Sequence, residues 1–561
     1  MAINATTPGV YIEEVSRIPA SVVPVATAIP GFIGYTEKGP TNVPTRISSM
    51  LEYEATFGGP FDEPYTILLT GASPTTNYTI TDPTFAKFAL HYNMQMYFAN
   101  GGGPCWIISI GSYSSTFATV GNFTAGLAAA EQVDEITLIV APEVVSLADA
   151  SRKTFNDAAL LQCSLLKDRF VLMDVEDAGA ASVKTDGDNF RSLHVGANNL
   201  KYGAAYFPAL NTPIVRSYDE TKLVVTDSRT GFSYTYGTSP NNTLSTIRTG
   251  VVAYVEATVG TLTTSDNITI NGVVLIAGAH FAIGATPTAS AANLRDAINA
   301  HPVLSQSVRA TSSAATITVL SVISGTAGNI TATVTANFTI TDGPDPGVNN
   351  TADSGLYAKI KADLDKKLIQ VYPSAAMAGV YASVDRDRGV WKAPANVGVN
   401  LVDTLSTNVS ADEQGLLNVD PTSGKSINAI RSFAGRGILV WGARTLAGND
   451  NEWRYINVRR LFIFVEESIK KATEFVVFEP NDSNTWARLK TMIGSFLTDL
   501  WRSGGLVGAK TEHAFFIKVG LGETMTAQDI LEGKCIIQIG MAASRPAEFI
   551  ILQFEHKLQE S

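Results

Sequence analysis

Few side chains in this 561-residue sequence have the types and spacing that catalysis needs. Ser423-Gly424-Lys425-Ser426 reads like the end of a phosphate-cradling loop, whose lysine would neutralise phosphate and whose serine hydroxyl would hold Mg2+. The first glycine of such a loop belongs where Val419 stands. Without it, successive backbone amides cannot wrap a phosphate, and the match is chance. Gly101-Gly102-Gly103-Pro104 precedes an apolar strand, whereas a dinucleotide loop follows a strand and opens a helix; a tight turn is expected. The six histidines show no metal-type spacing, and His-Glu-x-x-His, Cys-x-x-Cys and Gly-x-Ser-x-Gly are absent. Cys105, Cys163 and Cys535 are far apart in apolar settings, as expected of buried structural thiols in a protein made in the cytoplasm. Asp385-Arg386-Asp387-Arg388 reads as an ion-pair network shaping a loop. No catalytic residue, cofactor site or metal ligand is expected.

A soluble enzyme with an unrecognised site is the alternative of a different class. Composition narrows the field further. Hydrophobic residues make up 45% and charged residues 17%, a strand-friendly globular balance. A net charge of −11 argues against nucleic acid as partner, because phosphate binding needs a basic field. No apolar run is long enough to span a bilayer, and no secretory leader is evident.

The elements that would position any site fall into three regions. From 31 to 214, apolar strands (104–110, 136–140, 170–174) alternate with helical patterns at 123–133 and 148–166, which implies an α/β layer with a mixed sheet. From 215 to 350 charges thin out and Thr, Ser, Asn and Gly dominate; period-2 strands such as 267–276 and 315–324 surround one helical pattern at 289–300. This reads as an inserted, mostly-β domain. From 351 to 545 the α/β character returns. Trp486, Leu489, Ile493, Phe496, Leu497 and Leu500 mark a helix with N-caps at 481–483 and a stop at Gly504-Gly505, and strands are expected at 513–519 and 534–540.

Both ends look like isolated strands. Val10, Tyr11, Ile12, Glu13, Glu14 and Val15 have strand composition, yet Pro8 precedes them and Pro19, Pro24 and Pro30 follow, so residues 1–30 read as an extended arm without a hairpin partner. Residues 546–561 form a second arm, with Phe549, Ile550, Ile551, Leu552, Gln553 and Phe554 as its strand-like part. Within Glu452–Glu474, Arg459, Arg460, Lys470 and Lys471 repeat at helical spacing, with Glu466 and Glu467 set four residues before the lysines. Such a stripe is either a solvated face or a face turned to a partner.

Thr7-Pro-Gly-Val-Tyr-Ile-Glu-Glu and Ala28-Ile-Pro-Gly-Phe-Ile-Gly-Tyr-Thr-Glu-Lys-Gly-Pro resemble the start of contractile tail sheath proteins. The resemblance continues in order through Phe98-Ala-Asn-Gly-Gly-Gly-Pro-Cys-Trp, Asp385-Arg-Asp-Arg-Gly-Val-Trp-Lys-Ala-Pro, Leu439-Val-Trp-Gly-Ala-Arg, Trp453-Arg-Tyr-Ile-Asn-Val-Arg-Arg and Arg545-Pro-Ala-Glu-Phe-Ile. Pro44-Thr-Arg-Ile and Phe57-Gly-Gly-Pro are most similar to phage-tail-like, extracellular injection systems, with a true contractile-tailed phage as the alternative. The resemblance implies a structural subunit of an assembled particle. Its α/β core is formed by both halves of the chain, and hexameric rings of it stack helically around an inner tube. The arms of neighbouring subunits exchange strands, and contraction drives the tube through a target envelope. Partners implied are other copies, the tube protein, and baseplate and terminator or cap proteins, with no nucleic acid and no membrane insertion. Arg459, Arg460, Lys470 and Lys471 are then candidates for tube contact. The insert resembles a small β-rich module of phage structural proteins and is expected on the outer side.

Overall fold

The computed structural model describes residues 22–72, 75–83, 87–113, 119–177, 182–230, 243–249, 252–324, 330–342 and 353–551. The chain divides into two compact units, one of residues 1–61, 87–214 and 369–561, the other of 62–86 and 215–368.

The first unit is built on a nine-stranded sheet. Its order is 397–398, 437–440, 428–433, 203–207, 170–174, 138–140, 30–36, 105–112 and 45–47. The six strands from 428–433 to 105–112 run parallel, and antiparallel strands close both edges. Strand Pro30–Thr36 is buried at every position, as are Phe170–Asp174 and Gly203–Phe207. Helices on both faces demand such continuous apolar runs, and Leu90–Ala99, Val120–Glu131, Asp149–Leu166 and Ser374–Arg388 supply them. The Val120–Glu131 helix comes so close that a Cβ on Gly126 would sit 2.7 Å from methyls of Ile33 and Ile110. Glu143, fully enclosed, joins sheet to helix: it accepts from Tyr35 N at 2.8 Å and from Ala89 N and Leu90 N at 2.7 and 3.0 Å.

Strand 30–36 begins where the expected N-terminal arm ends, but the arm is not free up to that point. Val22 packs into the core of the C-terminal helices, and Val25 N donates to Ser468 Oγ at 3.2 Å. Ile29 N donates to Thr137 Oγ1 at 2.8 Å. Residues 22–29 are therefore bound to their own unit, while Val10–Val15 lie outside the described residues.

The second unit holds two apolar cores. In one, Thr66–Thr70 pairs in parallel with Val224–Asp227 and antiparallel with Asn77–Thr81. Ile67, Leu69 and Val225 meet Leu356, Ile360 and Leu364 of helix Ser354–Leu364 there. The other belongs to 252–342, where a four-stranded and a three-stranded sheet enclose Val255, Ile268, Ile317 and Val319 with Leu294 and Ile298 of helix Pro287–Ala300. Segments 62–86 and 351–368, read from sequence as parts of the α/β core, thus fold with 215–350. The parallel partner of strand 66–70 is more than 150 residues away in sequence, a pairing that local periodicity does not encode.

Candidate assembly surface of the C-terminal helices and chain ends

The Ile456–Thr473 helix carries the charged stripe, and Ser483–Arg502 packs against it through Leu461, Phe464, Val465, Leu489, Ile493 and Leu497. Asp482 caps the second helix, accepting from Asn484 N and Thr485 N at 3.0 and 2.9 Å. The stripe does not form one surface. Arg459 and Arg460 are only 3% and 4% exposed, because residues 456–461 are enclosed on every side. Arg459 donates to Glu466 at 2.9 Å, and its guanidinium lies 4.7 Å from the Trp453 ring centre and 4.9 Å from that of Tyr202.

Arg460 forks onto both Asp385 oxygens at 2.9 and 2.5 Å, donates to Thr27 O at 2.7 Å, and sits 4.6 Å from the Tyr381 ring centre. Burial opposes its charge, but Asp385 outweighs burial and raises the guanidinium's pKa. These two arginines hold the fold and are unavailable to a tube. Lys470 and Lys471 do remain at the surface, with side chains 62% and 39% exposed; Lys470 pairs with Glu467 at 3.1 Å, and Lys471 with Asp134 at 2.6 Å and Glu467 at 3.6 Å. The expected loop cluster 385–388 is instead the last turn of helix Ser374–Arg388, with Asp385 turned in to Arg460 and Arg386 paired with Asp387 at 3.0 Å.

After the second helix, Phe515–Lys518 and Gln538–Met541 form a sheet of only two strands among the described residues, in the register Phe516↔Gly540 and Ile517↔Ile539. Phe516 lies across Gly540, where a Cβ would come within 2.2 Å of its ring, and is itself half exposed. The chain then runs along a groove of about 960 Å³ walled by Trp391, Gln414, Trp441 and Tyr455. Glu548 is held there by four contacts. Arg444 donates through Nε at 2.9 Å and Nη2 at 2.7 Å, Asn418 Nδ2 at 2.7 Å and Tyr455 OH at 3.0 Å. Burial pushes this carboxyl up, but the donors prevail and keep it below its ordinary range. Next to it, Phe549, Ile550 and Ile551 are 70%, 78% and 83% exposed and belong to no strand of the described chain. Leu552, Gln553 and Phe554 lie outside the described residues.

The Glu548 anchor is hidden at the level of sequence, because its main partner lies 104 residues away; a lone acid in an apolar tail is its only signal there. Lys425 is buried, and its Nζ donates to the carbonyls of Arg191 and of Val195, the latter at 2.8 Å, so its charge ties down a helix end. Cys105 and Cys163 are buried as expected, whereas Cys535 is exposed, because the segment before strand 538–541 lies on the surface. Asp149, Glu176 and His194 come close enough to share a cation, but Arg152 already fills that role, 2.8 Å from Glu176 and 3.3 Å from His194. Among the described residues, no helix is long and apolar enough to cross a membrane.

The phage tail sheath C-terminal domain family matches residues 448–557, which hold the helix pair, the two-stranded sheet and the anchored tail. The tail sheath protein of Vibrio phage KVP40 is 27% identical over 179 residues, covering 32% of this chain and 25% of that protein. The match thus spans about a quarter of the phage protein's length. Solved structures extend the likeness to the whole chain. A chain of the anti-feeding prophage baseplate, six-fold symmetrised, is 28% identical, with TM-score 0.53 and 99% of both chains covered. The anti-feeding prophage helical sheath in the contracted state is 27% identical, with TM-score 0.54, covering 98% of this chain and 99% of that one. Residues 448–557 thus match the phage tail sheath C-terminal domain family, and the chain as a whole is similar to subunits of contractile sheath particles.

Proposed function

We propose that the protein is a structural, non-catalytic subunit that polymerises helically around an inner tube and contracts to drive that tube through a target envelope. The observation that carries this reading is the full-length likeness to the anti-feeding prophage helical sheath. Purified protein is expected to form hollow tubes in electron micrographs, and a protein that stays monomeric at high concentration and moderate salt would overturn the reading. A sheath of a contractile-tailed phage is the second reading, favoured by the Vibrio phage relative. Capsid genes beside the coding sequence would select it.

In this reading the free edges of the sheet 515–518/538–541 receive strands from other copies, with Val10–Val15 and Phe549–Phe554 as donors. Main-chain hydrogen bonds would supply affinity, and alternate side chains specificity. Such head-to-tail contacts build open helices when rotation does not close them. Deleting residues 1–20 is expected to leave a folded protein that forms no tubes. Lys470 and Lys471 are the basic residues we assign to the tube, and baseplate and terminator proteins would cap the stack. The 252–342 lobe is proposed as an outer decoration. Its first and last strands pair with each other, Glu256 opposite Asp342, so a short Gly/Ser linker can replace it. A cut at 215–345 would also remove Val224–Asp227 from its sheet and uncover Ile67 and Leu69.

A further inference from the structure

We propose that Glu548 is the positioning residue that sets where the C-terminal arm leaves the subunit, so that only residues from Phe549 onward are available to another copy. The inference rests on the sheath reading for its consequence, but its geometry stands alone. Four hydrogen-bond donors on three separate segments, Asn418, Arg444 and Tyr455, converge on one carboxylate, and the fork from Arg444 is bidentate. Bidentate, charge-assisted contacts of this kind are strong and fix direction as well as distance. Arg444 is itself 3% exposed, and its backbone N donates to Asn428 Oδ1 at 2.7 Å at the edge of strand Asn428–Phe433. The anchor is thereby tied to the nine-stranded sheet. Immediately beyond it come three exposed apolar residues that belong to no helix or strand.

The next fixed point upstream is Ser544, whose N donates to Gly505 O at 3.2 Å and whose O accepts from Asn457 Nδ2 at 3.0 Å. Releasing Glu548 therefore frees the four residues 545–548, which add roughly 13 Å of reach at about 3.3 Å per residue. In a helical stack joined by such arms, that slack would loosen the spacing between copies. Glu548 acts on the arm, and the buried Arg444 keeps its contacts to the carbonyls of Asn418 and Gly448 at 3.4 and 3.5 Å when the carboxylate is removed.

Two measurements test this. On unassembled protein, chymotrypsin cleavage after Phe549 is followed by intact mass, with cleavage in the exposed Phe478 segment as internal reference. A protease needs several residues on either side of the scissile bond released from the surface, so cleavage follows the population of the open form. Glu548→Ala is expected to be cut after Phe549 at least tenfold faster than the wild type and Glu548→Gln at an intermediate rate, with the reference cut unchanged. Equal rates in all three would overturn the anchor. On assembled protein, inserting Gly-Ser-Gly-Ser after Glu548 in the wild type supplies the same slack with the anchor intact. It is expected to reproduce the Glu548→Ala change in tube yield and helical rise. A Glu548→Ala defect that the insertion does not reproduce would overturn the positioning role. Wild-type protein that forms no tubes would instead overturn the sheath reading, leaving the protease comparison to decide the anchor.

Discussion

The nine-stranded sheet and the two-stranded sheet 515–518/538–541 are made of similar residues and reach opposite ends. In the first, the parallel strands are covered on both faces and flanked by antiparallel partners, so that among the described residues its edges are strands of only two and three residues. In the second, the described chain supplies two strands and no more, and an isolated pair of strands is marginal by itself. A fold that satisfies its own backbone resists change. One that leaves edges unpaired keeps hydrogen-bonding capacity for another chain, and the risk of indiscriminate pairing is what natural edges normally suppress. Here the open pair lies beside the anchored tail, in the domain that the sheath family shares.

Two phenylalanines sharpen this contrast most. Phe32 is fully buried in an interior strand, so Phe32→Ala is expected to cost about 4 kcal/mol of folding stability. Phe549 is 70% exposed, and Phe549→Ala is expected to stay within about 0.5 kcal/mol while weakening tube formation. Urea denaturation and electron microscopy of the same preparations separate the two effects; a large stability loss at Phe549 would break the comparison.

Arg460 probes the border between the regions, since it joins Asp385 to the N-terminal segment at Thr27. Arg460→Met strands the buried Asp385 carboxylate and is expected to cost about 3 kcal/mol, whereas replacing both partners by apolar residues recovers most of the loss. A double-mutant cycle by denaturation checks it.

The closed sheet also has a pH dependence. Burial pushes Glu143 up to about 8 against the pull of its three backbone donors, and pushes Asp174 up to about 7 against Ser374. Both acids bind protons more tightly in the folded chain than in the unfolded one, so their contribution is complete below the unfolded carboxyl range near about 4 and is lost as pH rises towards 7 and 8. Stability is expected to fall by at most about 1.4 kcal/mol per pH unit for each group in that window. Denaturation midpoints of Glu143→Gln, measured from pH 5 to pH 8, should show a shallower slope than the wild type.

The smallest effect is at the surface. Lys470→Glu with Lys471→Glu removes the surface pair of Lys471 with Asp134, worth less than about 1 kcal/mol, together with the pairs of both lysines to the buried Glu467. If these lysines face the tube, co-assembly with tube protein weakens at low salt and recovers at high salt, because screening removes the new repulsion. Assembly that is indifferent to salt would assign the pair to Asp134 and Glu467 alone.

The sequence by itself determined the local elements. Apolar spacing from Leu489 to Leu500, an Asp482 cap and Gly504 define helix Ser483–Arg502 within a few residues, and the runs 104–110 and 170–174 are strands because they are short, largely apolar runs buried on both faces. Ordered motifs carried the sheath resemblance. Tertiary structure alone decided which charges are surface and which are interior. Arg459 and Lys470 share a helix face by periodicity, yet one is enclosed beside Trp453 and Tyr202 and the other is open. It also decided that strand 66–70 pairs with 224–227, and that Glu548 is the point where the tail is tied. The physical reason is common to all three: periodicity reports what a residue's own helix or strand does, while burial and long-range pairing depend on which distant segment arrives beside it.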